Sequence, residues 1–338
     1  MKKKVLIHIG YAKTGSSAVQ AWLHENRWLL AETNRIYPLR SIDGDHLISS
    51  GNGQVLIDYL GGRRTFDEVD RLYKFSDPST ITLISSERIR LTPDAIDKVR
   101  ALVQAFQLDI EFLAYVRDPF SWLHSRYLQR VKRHNFTGDF LSFLQRTKRI
   151  SFITESFNLK HSGFTYKLVS YDQHQDNVLA PFCAFIGVNC DDFVQVARVN
   201  RSLTQEEASL VASFERFLKA IEHEGKGRQL ADQLVAKHVP IGRAMTAKYS
   251  KPEAKLATRR YREQIDRFNQ DIGQDIGILL NTSPEIARKK IDNAAVFAVL
   301  NDERFKSAFD QAFADDLAVL NRWSDFVAFV EASDNKGQ

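Results

Sequence analysis

The stretch from Lys4 to Leu23 constrains this chain more than any other. It opens with an apolar run, Val5 to Ile9, passes through a loop holding Gly10, Lys13, Thr14, Gly15, Ser16 and Ser17, and continues with Val19, Trp22 and Leu23 at helical spacing. The pattern predicts a strand, a small-residue loop and a helix. Such a loop brings several backbone N–H groups and a helix N-terminus to one point, which makes an anion site. Lys13 adds a full positive charge, and the hydroxyls of Thr14, Ser16 and Ser17 add donors. A phosphate group fits that chemistry. The Walker A order G-x-x-x-x-G-K-[ST] is absent, because Lys13 precedes the second glycine.

Further along, short apolar runs alternate with helical patterns. Ile81 to Ile84 ends in Ser85-Ser86-Glu87, Ile110 to Val116 ends in Arg117-Asp118-Pro119, and Phe164 to Tyr171 leads into a helical stretch around 174–186. Thr92 followed by Pro93 reads as an N-cap with proline at the first helical position. Strands alternating with helices imply an α/β fold, a parallel β-sheet flanked by helices, whose ligands bind at the carboxyl ends of the strands. Lys13, Glu87 and Arg117 all fall just past such ends. From about residue 203 the chain reads as helical. Leu210, Val211, Phe214, Phe217, Leu218 and Ile221 form one stripe, and Phe305, Phe309, Phe313, Leu317 and Leu320 form another; both read as core faces. The expected division is an α/β core over 1–203 and a helical part over 204–338 packed on it.

The order Lys13-Thr14-Gly15-Ser16-Ser17 after a strand resembles the 5′-phosphosulfate loop of sulfotransferases that use 3′-phosphoadenylyl sulfate (PAPS). The family form is close to P-K-T-G-[ST]-[ST]; here Ala12 stands where proline is usual. A second element is similar too: Arg117 at a strand end and Ser125 on the following helix, 125 − 117 = 8 residues later. In the family such a pair binds the cofactor's 3′-phosphate, and arginine's planar, permanently charged fork suits that task. The resemblance, which extends to bacterial carbohydrate sulfotransferases, covers roughly 4–33, 81–90, 110–131 and, more loosely, 164–203. It implies a three-layer P-loop-like fold. It also implies transfer of a sulfuryl group from PAPS to a hydroxyl or amine, leaving adenosine 3′,5′-bisphosphate (PAP), with no metal. Lys13, Thr14, Gly15, Ser16 and Ser17 then hold the 5′-phosphate end, and Lys13 also acts as the catalytic cation.

An acceptor hydroxyl needs a base. Glu87 stands where the cytosolic enzymes keep a catalytic histidine, and the alternative for it is a structural pairing with Arg88 or Arg90. The second candidate is His46, in the long loop-rich stretch 35–65. His8 lies inside a strand and reads as a packed core residue. The tryptophan that stacks on adenine in cytosolic members has no counterpart, since Ala18 occupies its place; the glycine-rich closing loop is also missing, with Arg201, or Lys226 and Arg228, as stand-ins or as solvated charges. The acceptor stays open on these grounds, a glycan or glycolipid being the family's suggestion. Two other classes remain beside it: a P-loop kinase or nucleotide phosphotransferase using ATP and Mg²⁺, and a non-catalytic anion-binding module.

The balance of 47 basic and 42 acidic residues gives +5, enough to favour an anionic ligand but not a nucleic-acid-coating surface. No apolar run approaches a membrane span, and the five-residue run behind Lys2-Lys3-Lys4 is too short for a signal h-region, so a cytoplasmic protein is expected, with a homodimer open. Cys183 and Cys190, the only cysteines, read as two structural thiols.

Overall fold

Near-continuous burial of apolar strand residues sets the architecture. In the computed structural model, which describes residues 2–39, 51–196, 203–236, 240–241, 248–286 and 293–334, five strands form one sheet: β1 (Lys3–Ile9), β2 (Arg35–Ile36), β3 (Ile81–Ser86), β4 (Leu108–Val116) and β5 (Thr165–Ser170). Their order is β2-β3-β1-β4-β5 and every pairing is parallel. Each parallel step needs a crossover, and helices supply it. The chain leaves β1 for one side of the sheet, reaches β3, then returns to β4 on the other side. The carboxyl end of β1 is therefore a switch point, where open α/β sheets bind ligands. The parallel sheet with flanking helices is the expected fold class.

Local signals behave as their chemistry requires, with four departures. Thr92 Oγ1 accepts from the Ala95 amide at 3.2 Å and Pro93 opens the helix Pro93–Phe106. The helix expected after the loop breaks at Asn26 into α1 (Ser16–Glu25) and Arg27–Glu32. Buried Asn26 is occupied elsewhere: its amide group donates to the carbonyls of Trp22 and Val194, and its oxygen accepts from the Val194 amide. The stripe from Phe305 to Leu320 also breaks. A turn at 313–316 ends the helix Glu303–Ala312, and Asp316 caps a new short one, which resets the phase. Phe305, Phe309 and Phe313 are buried, but Leu317 is 66% exposed and Val319 takes the inward position. Two-residue β2 and the helix Gln54–Leu60 arise in a stretch that reads as loop.

The fourth departure is the cysteine pair. Cys183 and Cys190 are joined by a disulfide, their Cα atoms 5.6 Å apart. The reason is the end of the helix Leu179–Ile186: Gly187 takes φ 72, and the Val188 amide returns to the Cys183 carbonyl at 3.0 Å. That left-handed turn folds the chain back and brings Cys190 over the helix. Closing so short a loop stabilises by about 2 kcal/mol. Thiol titration of the denatured, unreduced protein is accordingly expected to find no free thiol, and reduction to lower the unfolding free energy by about that amount; two titratable thiols before reduction would refute the bond.

The described chain forms two compact units. The first comprises 1–119, 149–199 and 263–281, the second 120–148, 200–262 and 282–338. The first contains the whole sheet. One of its core clusters packs Leu6, Trp22, Leu23, Leu83, Leu113, Tyr115 and Phe182. The second is helical, and Phe214 meets Phe309, Phe313 and Phe326 at ring distances of 5.1–5.4 Å in its core.

Candidate functional site

The loop after β1 is shaped by what its glycines exclude. The Gly10 amide donates to the Ser86 carbonyl at 3.0 Å, so the chain leaves β1 still paired with the end of β3. A Cβ on Gly10 would lie 2.6 Å from Ser16 Cβ and 3.5 Å from Glu87 Cα, so only glycine lets the strand exit pass between α1 and Glu87. Lys13 and Gly15 both take left-handed backbone, at φ 72 and 81. For Lys13 that conformation costs about 1 kcal/mol or more.

Helix α1 then begins with no side-chain cap and no acidic residue in its first turn. The Ala18 and Val19 amides turn back to the Gly15 carbonyl. Such an end carries partial positive charge and suits an anion. The predicted loop donors differ in setting. Ser17 is exposed and Ser16 buried, while the fully buried Thr14 hydroxyl donates to the Tyr11 carbonyl at 2.5 Å. The Thr14 side chain thus serves the loop's own fold.

Arg117 joins the second sequence motif to the first. Its Nη1 donates to the Lys13 carbonyl at 2.9 Å, its guanidinium lies 5.0 Å from the Tyr171 ring centre, and its Nε stands 3.9 Å from Asp172 Oδ1. Nε is buried and makes no hydrogen bond among the described residues. Asp172 also accepts from the Asp118 amide at 2.5 Å. Burial raises its pKa, against the lowering effect of that amide and of Arg117. The end of β5 closes on the loop as well: a Cβ on Gly15 would sit 3.0 Å from Val178 and 3.2 Å from Tyr171. Ser125 is half-buried on the helix Pro119–His134 and is counted with the second unit.

Glu87 sits half-buried just past β3. Among the described residues its carboxylate has no hydrogen-bond or ion-pair partner. The two nearby arginines are engaged elsewhere: Arg88 Nη1 donates to Gln54 Oε1 at 2.7 Å, and Arg90 Nη1 donates to the backbone carbonyl of Glu87 at 2.8 Å while its Nε stands 3.4 Å from Glu155 Oε1. The structural pairing considered for the Glu87 carboxylate is therefore not formed. His46 and Arg201 lie outside the described residues. His8 is fully buried in β1. Lys226 pairs with Asp316, and Arg228 with Asp232 at 3.6 Å.

Sequence reasoning missed Tyr171 and Asp172 as the contacts of Arg117, although both stand just past a strand end and the rule that singled out Glu87 reaches them. It also missed Glu155 on the helix Ser151–Lys160, for which the sequence carries no signal: it is one acid in an ordinary helical run.

No family model matches the chain, and no curated protein matches it. Among solved structures it is similar to mouse sulfotransferase SULT7A1 complexed with PAP, at 11% identity and TM-score 0.39, over 82% of this chain and 89% of that one. It is also similar to retinol dehydratase in complex with androsterone and inactive cofactor PAP, at 13% identity and TM-score 0.31, over 94% and 81%. A complex of retinol dehydratase with retinol and PAP matches at 13% identity and TM-score 0.31, over 94% and 82%.

Proposed function

We propose that this chain is a PAPS-dependent sulfotransferase. The observation that carries the reading is the hydrogen bond from Arg117 to the Lys13 carbonyl. It ties together two motifs that are 117 − 13 = 104 residues apart in sequence and that resemble the two phosphate-binding elements of one family. The residues present suit a doubly phosphorylated ligand. The uncapped start of α1 with Lys13, Ser16 and Ser17 offers donors for one phosphate. Arg117, whose buried Nε lacks a hydrogen-bond partner, offers a charged fork for another. Ser125 joins Arg117 in this assignment on sequence spacing alone.

PAPS supplies the activated sulfuryl group. The chain's own contribution is positioning and charge stabilisation, as in phosphoryl transfer. Lys13 stabilises negative charge that grows on the leaving phosphate, an interaction stronger in the transition state than before it. Glu87, with no competing partner among the described residues, takes the proton of the acceptor hydroxyl. His46 is the second candidate for that role. The acceptor is assigned to glycans or glycolipids on the family resemblance alone. Among the described residues no helix is long and apolar enough to cross a membrane. The cytoplasmic placement runs against the Cys183–Cys190 bond, since disulfides persist mainly in oxidising compartments; the thiol titration described above bears on both.

Ligand-induced melting tests the reading without knowledge of the acceptor. PAP without metal is expected to raise the unfolding free energy by about 2.7 kcal/mol at a hundredfold excess over its Kd, and ATP with Mg²⁺ to do little. The reverse result would sink the sulfotransferase reading in favour of a phosphotransferase.

A further inference from the structure

We propose that Glu155 is a positioning residue, acting through Arg90 to hold the turn that carries Glu87. The inference rests on the reading of Glu87 as the base and extends it to a group outside the predicted site.

The turn after β3 is short and partly exposed. Ile89 and Leu91 anchor it below, each 1% exposed, while Glu87, Arg88 and Arg90 point outward to different degrees. Arg90 ties it from above, its Nη1 donating to the carbonyls of Glu87 at 2.8 Å and of Ile89 at 3.0 Å. An arginine side chain 49% exposed gains little from such bonds alone, because ordering it costs rotamer entropy. Glu155 changes that. It is 8% exposed, and its Oε1 faces Arg90 Nε at 3.4 Å, fixing the guanidinium from the buried side. Its Oε2 is buried without a hydrogen bond among the described residues. A carboxylate held this way depends on Arg90, and Arg90's placement depends on it.

The same helix reaches the anion loop. Phe152, one turn before Glu155, packs against Tyr11 with ring centres 6.2 Å apart. Arg90 from the turn and Tyr11 from the loop are the titratable groups of the described chain that act on Glu155. Burial pushes Glu155 up to about 7, with Arg90 opposing. The pairing therefore weakens as pH falls through neutrality.

The test compares wild type with Glu155→Gln, which keeps shape and removes charge. Three measurements are made: amide hydrogen exchange over 86–91, PAP affinity by calorimetry, and release of labelled sulfate from PAPS to water. In that release the S–O bond to phosphate breaks, a bond to the water oxygen forms, and the water's proton passes to Glu87. Exchange over 86–91 is expected to rise about tenfold and kcat for release to fall about tenfold, with the Kd for PAP within about twofold of wild type. The acid-side fall of the wild-type rate near pH 7 should disappear in the variant. Unchanged exchange and kcat would overturn the inference, as would equal losses in kcat, PAP affinity and exchange protection throughout the protein. If Glu155→Gln does not fold, Arg90→Lys carries the same comparison, since it keeps the charge but not the fork. A wild type that neither binds PAP nor releases sulfate overturns the sulfotransferase reading itself. A wild type that does both, beside an unaffected variant, overturns only the role of Glu155.

Discussion

Replacing Lys13 by alanine is expected to lower sulfate transfer by about 10²–10³-fold, the usual cost of removing one donor aimed at developing charge. PAP affinity should change far less. The backbone makes this substitution unusually clean. Lys13 is held at φ 72, and its carbonyl accepts from Arg117. Alanine also bears a Cβ, so it meets the same left-handed penalty as lysine, and the loop's conformational cost hardly changes. What the variant loses is the ammonium. A cation that only anchors a phosphate would cost affinity and turnover alike. One that acts on the breaking bond costs turnover beyond affinity. Calorimetry with PAP and labelled transfer from PAPS separate the two. Equal losses would make Lys13 an anchor, and no transfer from either protein, with binding intact in wild type, would support the anion-binding module.

The parts of this site that sequence could reveal are those where local chemistry and chain order coincide. A strand followed by Gly10, Lys13 and Gly15 is one continuous stretch, and of its two left-handed residues one, Gly15, is written as a glycine while the other, Lys13, is not. Arg117 and Glu87 were visible because apolar strands end abruptly before them. What stayed hidden depends on contacts distant in sequence. Glu155 becomes notable only because Arg90 faces it and the core closes around it. Asn26 breaks a helix because Val194, 168 residues away, completes its hydrogen bonds. The disulfide follows from one glycine turning left-handed at the end of a helix, which spacing alone does not dictate. The expected cut at 203/204 follows chain order, whereas the compact units interleave, with 263–281 joining the sheet-bearing unit. No periodicity in those helices announces which unit they will serve.

The second large effect is on stability against pH, and it centres on His8. This residue lies in β1, with Tyr115 and Phe182 ring centres each 5.7 Å away. Its Nδ1 shares a hydrogen bond with Ser85 Oγ at 2.9 Å, and its Nε2 is buried without a partner. A charged imidazolium there would have no water and no counter-ion among the described residues, so burial lowers its pKa from 6.5 to about 3. Between those values the unfolded chain binds a proton that the folded chain refuses, so stability rises with pH across the window and is lost as pH falls through it. The loss from pH 6.5 down to 3 amounts to about 4–5 kcal/mol, comparable to a large share of a domain's net stability. Glu155 acts with the opposite sign. Its pKa is raised from 4.5 to about 7, so the folded state holds a proton that the unfolded state releases, and stability declines as pH rises through that range, by about 3 kcal/mol. Urea unfolding of wild type should therefore show opposing slopes that partly cancel between pH 4.5 and 6.5. His8→Asn, which retains a hydrogen-bonding group for Ser85, should flatten the acid limb, and Glu155→Gln should flatten the decline towards neutrality. An acid limb unchanged in His8→Asn would mean that other groups, the surface carboxylates first, carry the acid sensitivity of the fold.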